Sequence, residues 1–169
     1  LNREAYPVTL KYAGQNVEVT NSSVTIDNKR QKAEVTLTKI LEVNEELGIG
    51  KNDEIKNVSF ALFANEEIKA NDGTVIPKDG LIEIVSVSEN GKATFTTDIP
   101  FGKYYVQEYT TDKHYVLDNT KYEFEFGYTD ENTSVQKIEI NNGKPVVNKP
   151  LTGGLEITKK DVSTGELLP

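Results

Sequence analysis

Short runs of alternating apolar and polar residues dominate this chain, and clusters of Asn, Asp and Gly separate them. Alternation with a period of two, rich in β-branched and aromatic residues, is typical of β-strands, because successive side chains point to opposite faces of a sheet. The pattern predicts strands at Val8–Leu10, Val24–Ile26, Val35–Leu37, Val58–Phe63, Ile82–Val87, Ala93–Thr97, Tyr104–Glu108, Tyr122–Phe126, Val135–Ile140 and Leu155–Ile157. Many short strands at close spacing indicate an all-β fold, an antiparallel β-sandwich.

Turn signals and one irregular segment complete this prediction. Asn90-Gly91 and Asn142-Gly143 predict tight turns, because Asn and Gly tolerate a positive φ. The Glu-rich segment Leu41–Leu47 has only weak helical periodicity and precedes Gly48. We interpret it as a loop that carries one helical turn.

Both ends of the chain repeat parts of its middle. The similar pairs are Leu1–Tyr12 with Leu117–Tyr128, Val24–Asn28 with Lys144–Asn148, and Val35–Lys39 with Leu155–Lys159. Lys39 follows Asn28 by eleven residues, and Lys159 follows Asn148 by the same eleven. Such self-similarity indicates a tandem array of one unit.

The repeats define the expected domain boundaries. We expect residues 1–33 to be the C-terminal part of a preceding repeat and residues 34–150 to form one complete domain. Residues 155–169 then contribute the first strand of the following repeat. The segment Pro150–Gly154 is the junction, since its paired glycines end one sheet before another begins. A chain that begins with Leu and contains no Met is expected to be a fragment or a processed piece.

Three polar residues of the complete domain share strand faces with apolar neighbours. They are Lys39, Glu108 and Asn148. Alternation places each on the inward face of its strand, together with the residue two positions earlier, which is Leu37, Val106 or Val146. Taken singly, each has an ordinary interpretation: a lysine that reaches the sheet edge, a solvated strand-end glutamate and a turn-capping asparagine. Burying an unpaired Lys or Glu costs several kcal/mol, so together they are expected to be partners.

A buried trio of this kind can react with itself. Burial favours the neutral forms of an amine and of a carboxylic acid. The Lys39 amine would then be a nucleophile beside the amide carbon of Asn148. Glu108 would polarise the amide oxygen, relay the proton and help ammonia leave. The expected product is a Lys39–Asn148 isopeptide bond, formed once by the chain on itself, so we do not predict an enzyme that acts on an outside substrate.

The surrounding motifs resemble the Cna-B/SpaA-like, or prealbumin-like, repeat domains of Gram-positive surface proteins and pilins. The residues that carry the resemblance are Val35–Lys39, Glu89–Phe95, Phe101–Glu108 and Lys144–Asn148. The resemblance implies an Ig-like, transthyretin-like sandwich with an isopeptide bond between Lys39 and Asn148, promoted by Glu108. It also implies that Asn28 and Lys159 are crosslink partners in the neighbouring repeats, and we expect both to be unbonded within this chain.

Covalently closed tandem domains suit an extracellular stalk. We predict a structural spacer repeat of a cell-wall-linked adhesin or pilus protein at the cell surface, whose partners are neighbouring repeats of the same polypeptide. An alternative is an adhesive module that recognises a host glycan or matrix protein through Ile40–Asn57, a segment longer than such domains usually have there. A glycoside hydrolase is a third class, but the spacing of its candidate carboxylates does not support it; these are Glu83, Glu108 and Glu123.

Composition narrows the possible partners. The net charge of −8 argues against binding nucleic acid or an anionic bilayer, since both need clustered Lys and Arg. The absence of Cys excludes disulfides and thiolate metal sites, and the single His114 excludes multi-histidine sites. No apolar run approaches the ~18 residues of a membrane span. The loops Asn52–Glu54 and Asp130–Asn132 lack calcium-loop spacing. We therefore expect no metal, no cofactor, no nucleic acid and no membrane insertion of this fragment.

Overall fold

The fold is built from β-strands and short turns. The computed structural model describes residues 3–17, 19, 21–26, 29–154 and 156–167. Within these residues there are ten strands and no α-helix, which confirms the predicted all-β class. The strands are β1 (Lys32–Leu41), β2 (Ser59–Ala64), β3 (Ile68–Lys69), β4 (Val75–Ile76), β5 (Leu81–Ser86), β6 (Lys92–Phe95), β7 (Gly102–Thr110), β8 (Tyr122–Phe126), β9 (Val135–Glu139) and β10 (Val146–Asn148). A 3-10 turn lies at Glu54–Asn57, and a tight turn with positive φ angles at Asn141, Asn142 and Gly143 lies at Ile140–Gly143.

Two four-stranded sheets form the sandwich. In the first sheet β1 is central, and β6 pairs antiparallel with one of its edges. Both β9 and β10 pair with the other edge of β1, β9 along its first half and β10 along its last three residues. The second sheet has the order β5-β2-β7-β8 and is antiparallel throughout, while β3 and β4 form a separate hairpin. The pairs of β1 with β9 and β10 are parallel, which the antiparallel prediction did not include. Parallel neighbours need a long connection, and here most of the domain connects β1 to β10.

The inward faces of the two sheets share one apolar core. The period of two is clear in the second half of β7, where Val106 and Glu108 are buried and Gln107 between them is partly exposed, while Tyr104 and Tyr105 are both buried. The Tyr104 hydroxyl donates a hydrogen bond of 2.6 Å to the carbonyl oxygen of Pro100, so its polar group is satisfied inside the core. Large core side chains from other strands are Val35, Leu37, Phe60, Leu62, Phe95, Phe126 and Val146. Burial of each such side chain contributes about 1.5–3 kcal/mol to folding.

The strand predictions for the flanking segments were wrong as far as the structure describes them. Val8–Leu10 and Val24–Ile26 are not in strands, and their apolar side chains are exposed. Of Leu155–Ile157, the first residue lies outside the described residues and the other two are not in a strand. A β-strand needs a neighbour for its backbone hydrogen bonds, and the described residues provide none beside these segments.

The segment between β1 and β2 is folded onto the domain. Asn44 and Ile49 form an antiparallel bridge with backbone N···O distances of 3.0 and 3.1 Å. The one helical turn of this segment lies at Glu54–Asn57, not at Leu41–Leu47 as predicted. The buried Glu54 carboxylate accepts hydrogen bonds from the backbone N–H groups of Gly50 and Asn52. These bonds close the loop where the 3-10 turn begins.

Substitution of Gly91 by alanine tests how closely the turn that contains it approaches the backbone of Lys39. Gly91 has a φ of +75°, and a Cβ there would lie 2.6 Å from the Lys39 carbonyl oxygen. Gly73 also has a positive φ, of +89°, but a Cβ there would meet nothing within 4 Å. We expect Gly91→Ala to reduce the free energy of unfolding by about 1–3 kcal/mol, and Gly73→Ala by less, because only the first adds a backbone clash to the φ strain. Urea denaturation measures both losses, and equal losses would contradict the predicted clash.

Candidate functional site

Three strands bring Lys39, Glu108 and Asn148 to one place between the sheets. The parallel register pairs Lys39 with Val146 and Leu41 with Asn148. Lys39 and Asn148 are therefore diagonal neighbours whose side chains share the inward face of the first sheet. Glu108 reaches them from β7 in the opposite sheet. All three residues are buried, with exposed fractions of only 2–3%.

The three side chains contact one another directly. Lys39 Nζ donates to Asn148 Oδ1 over 2.5 Å and lies 3.1 Å from Glu108 Oε1. Asn148 Nδ2 donates to both carboxylate oxygens of Glu108 at 2.8 Å. One oxygen, Oε1, thus contacts both the amine nitrogen and the amide nitrogen.

The orientation of the amide differs from the sequence-based expectation. We expected the Glu108 carboxyl to face the amide oxygen of Asn148. The carboxyl instead faces the amide nitrogen, and the oxygen faces the Lys39 amine. The acidic group therefore lies beside the nitrogen that would leave as ammonia.

Two further groups contact the trio, and sequence reasoning did not identify them. The backbone N–H of Asp118 donates to Glu108 Oε2 at 2.7 Å, and Asn148 Nδ2 also donates to Thr111 Oγ1 at 2.9 Å. Both belong to the segment that follows β7 and turns back over the site. Asp118 is itself held by the Tyr122 hydroxyl, 2.6 Å from its Oδ2 atom. In the sequence these residues resemble any polar turn, so hydrophobic periodicity does not identify them as site residues.

The backbone around Asn148 is fixed from both sides. Its carbonyl oxygen accepts the N–H of Glu42, just after β1, at 3.0 Å. On the other side, Val116 N–H donates to the Lys149 carbonyl and Leu151 N–H donates to the His114 carbonyl, at 3.2 and 2.7 Å. The end of β10 is thus held in place before any covalent link is made.

Burial sets the acidity of the amine. Desolvation lowers the pKa of Lys39 below its ordinary value of 10.5, and this effect outweighs the opposing charge of Glu108 and the more distant charge of Asp118. The Nζ atom also lies 5.8 Å from the centroid of the Phe60 ring. A larger fraction of this amine is therefore neutral than in an exposed lysine, and the neutral amine is the nucleophilic form.

The other residues singled out in the sequence do not join this site. Asn28 lies outside the described residues, and Lys159 is exposed and outside any strand. His114 Nδ1 pairs with Asp112 Oδ1 at 2.7 Å, and Asp112 in turn accepts Asn57 Nδ2 at 2.6 Å. This histidine therefore belongs to a structural network at the domain end.

Across the residues that the structure describes, no group of three or more His, Cys, Asp or Glu side chains is arranged to hold a metal ion. The oxygen-rich loop at Asp130 is occupied by its own turn, in which that carboxylate accepts the backbone N–H groups of Asn132 and Thr133. In the same part of the chain, no helix is long and apolar enough to cross a membrane.

Comparison with known families identifies the domain. The sequence profile of the SpaA family, described as a prealbumin-like fold domain, matches residues 41–144. This chain belongs to the SpaA family. The match confirms the family that the motifs indicated. It contains Glu108, begins two residues after Lys39 and ends four residues before Asn148, so the SpaA match itself does not include the two residues expected to be linked.

Several solved structures are similar to this SpaA chain. The Bacillus anthracis TIE protein is 25% identical with a TM-score of 0.48, over 83% of this chain and 21% of that one. BcpA, the major pilin subunit of Bacillus cereus, is 25% identical with a TM-score of 0.38, over 70% and 29% of the two chains. GBS52, the minor pilin of Streptococcus agalactiae, is 13% identical with a TM-score of 0.44, over 76% and 49%. The chain thus spans about a fifth of the TIE protein's length. No curated protein matches the chain.

The lowered pKa of Lys39 predicts a pH dependence of stability in a chain that cannot crosslink. Asn148→Ala removes the amide and keeps the amine, while the double variant Lys39→Met/Asn148→Ala removes both. Above pH 10.5 the lysine is neutral in the folded and unfolded chains, so its burial carries no charge penalty there. As the pH falls below 10.5 the unfolded lysine binds a proton first, so the penalty grows and is complete below the folded-state pKa.

Urea denaturation of both variants at a series of pH values measures this penalty. We expect Asn148→Ala to lose stability relative to the double variant as the pH falls from 10.5, because only the single variant keeps a buried amine that must take up a proton. A stability difference that does not change with pH would show that burial does not lower the pKa of this amine.

Proposed function

We propose that this SpaA domain forms an intramolecular isopeptide bond between Lys39 Nζ and Asn148 Cγ, with Glu108 as the acid–base residue. We further propose that the domain is a structural stalk or spacer unit of a cell-wall-linked surface adhesin or pilus protein. The observation that carries the proposal is the buried contact of the three side chains. Glu108 Oε1 lies 3.1 Å from the attacking nitrogen and 2.8 Å from the leaving nitrogen.

The reaction balances with these three residues alone. Glu108 Oε1 takes a proton from the Lys39 ammonium, and the neutral amine attacks Cγ of Asn148 while the carbonyl π electrons move to Oδ1. Protonated Glu108 then donates to Nδ2, the Cγ–Nδ2 bond breaks as the carbonyl re-forms, and ammonia leaves. The remaining extra proton on Nζ returns to Glu108. A primary amide and an amine become a secondary amide and ammonia, and Glu108 ends as the neutral acid.

Burial and positioning accelerate a reaction that is slow between a free amide and a free amine in water. The strand register holds the nucleophile against the amide, which converts a bimolecular reaction into a step within one molecule. The low-dielectric interior strengthens the interaction of Glu108 with charge that develops on the two nitrogens. Ammonia that escapes into solvent is diluted, so the reverse reaction does not compete.

A bond at this place suits a domain under tension. β1 is the first strand of the domain and β10 is the last, and they lie side by side in the same direction. Force applied to the two ends of the domain shears this parallel pair. With Lys39 bonded to Asn148, tension passes from β1 through the bond to residue 149, and the chain between them carries no load. Unlike a disulfide, the link cannot be reduced.

The flanks extend the proposal to neighbouring units. We place one complete domain at residues 34–150, with residues 1–33 ending a preceding repeat and residues 155–169 beginning the next. The repeated spacing of Asn28 with Lys39 and Asn148 with Lys159 supports this division, and the SpaA match falls inside the central unit. In these neighbours Asn28 and Lys159 would be the corresponding bond partners. Recognition of a host ligand by Ile40–Asn57 stays a prediction.

The intact mass of the purified chain tests the bond. We expect the wild-type chain to be lighter than its sequence mass by one ammonia molecule, because each bond releases one. Lys39→Ala, Glu108→Ala and Asn148→Ala should each have the full sequence mass. Lys92→Ala is the control. This exposed lysine of β6 pairs with Thr38, the residue before Lys39, and its removal should leave the ammonia loss unchanged. A wild-type chain with its full mass would refute the proposal.

Unfolding experiments test what the bond contributes to stability. The linked residues are 109 positions apart, and a crosslink over about 100 residues adds on the order of 4–5 kcal/mol by the loop-entropy argument. We expect Lys39→Met, which keeps most of the side-chain volume but cannot react, to lose about that much free energy of unfolding in urea. If Lys39→Met unfolds at the wild-type urea concentration, the bond does not stabilise the domain.

A further inference from the structure

We infer that Thr111 is a further catalytic residue of this self-reaction, and that its hydroxyl holds the leaving nitrogen of Asn148. The inference rests on the proposed isopeptide bond and adds a fourth side chain to it. Thr111 Oγ1 lies 2.9 Å from Asn148 Nδ2, the atom that departs as ammonia. Thr111 is partly buried, just beyond the end of β7.

The hydrogen bonds of the amide account for all of its polar atoms. Nδ2 carries two hydrogens, one directed at the Glu108 carboxylate and the other at Thr111 Oγ1. Oδ1 accepts from Lys39 Nζ. Thr111 therefore binds the Nδ2 hydrogen that does not point to Glu108. The amide group is held by three residues, Lys39, Glu108 and Thr111, where the first two alone would leave this hydrogen unpaired.

The Thr111 contact differs from the other two in what happens to it during the reaction. The contacts of Lys39 and Glu108 are changed by proton transfer and by formation of the new bond. The contact with Thr111 persists from the amide to the departing ammonia. When Glu108 protonates Nδ2, positive charge develops on this nitrogen, and its N–H bond to Oγ1 becomes a charge-assisted hydrogen bond. An interaction that strengthens in the transition state raises the rate, whereas one that is equally strong before the reaction does not.

The neighbouring threonine provides a matched control. Thr110 Oγ1 lies 2.7 Å from Ser59 Oγ and donates to the Asn57 carbonyl at 3.1 Å. Its hydroxyl therefore joins β7 to β2 and the turn before it, and does not contact the trio. The two consecutive threonines thus have different contacts: Thr111 binds the leaving nitrogen, and Thr110 links neighbouring parts of the backbone.

The rate of ammonia loss in the full 169-residue chain tests the inference. Each chain is synthesised in a cell-free system with a pulse of isotopically heavy amino acids, chased with light ones and quenched in acid at increasing times. The temperature is chosen so that the wild-type chain is sampled before its reaction is complete. Intact mass then gives the fraction of heavy chains that have lost ammonia.

We expect Thr111→Val and Thr111→Ala to form the bond about tenfold more slowly than wild type, the factor that corresponds to one hydrogen bond. Thr111→Ser keeps the hydroxyl and should react at nearly the wild-type rate. Thr110→Val should also react at the wild-type rate, even where it lowers stability. Circular dichroism of each variant in the Lys39→Met background establishes that it folds without the bond. If Thr111→Val does not fold, the Ser and Ala variants, which differ by one oxygen atom, decide the result.

The outcomes separate this inference from the proposed function. A wild-type chain that never loses ammonia overturns the isopeptide bond and the role of Thr111 together. A wild-type chain that reacts, with Thr111→Val and Thr111→Ala at the same rate, overturns only the role of Thr111. Equal slowing of the Ser and Ala variants also overturns it, because the hydroxyl would then not be the acting group.

Discussion

The parallel contact between β1 and β10 is the constraint on which the site depends. It places Lys39 and Asn148 on one face of the first sheet, opposite Glu108 in the second. A buried Lys–Glu pair is a weak stabiliser, since removing two charges from water costs about as much as their attraction returns. As proposed, the reaction relieves this cost, because the product holds a neutral amide and a neutral acid. The pair is therefore better explained by chemistry than by the stability of the unreacted fold.

The segments that close the domain end connect the site to the rest of the sandwich. The residues after β7 supply Thr111 and the Asp118 N–H to the trio, and they also pair with the chain just beyond β10. One stretch of chain thus hydrogen-bonds the Glu108 carboxylate and the Asn148 amide nitrogen, and it also positions the strand that carries the amide. The proposed exchange of one amide for another requires precise placement of this kind, because small displacements of reacting atoms reduce rates strongly.

Sequence reasoning succeeded where local rules decide the outcome and failed where they do not. The alternation in Tyr104–Glu108 correctly placed Glu108 inward, because neighbours in one strand share a periodic geometry. The same rule failed at Val8–Leu10, since alternation describes a strand only when a partner strand is present. Thr111 was missed because its role comes from a turn that brings it back over the site, and no periodicity records that.

The sequence by itself determined the all-β class, the SpaA family and the inward faces of Lys39, Glu108 and Asn148. Each of these follows from residue type and spacing along one strand or motif. Only the tertiary structure decided that β1 and β10 run parallel, that the carboxylate faces the amide nitrogen, and that Thr111 contacts this nitrogen. The physical reason is that these features depend on pairing between distant segments and on hydrogen-bond directions in a closed interior, and neither is encoded in local periodicity.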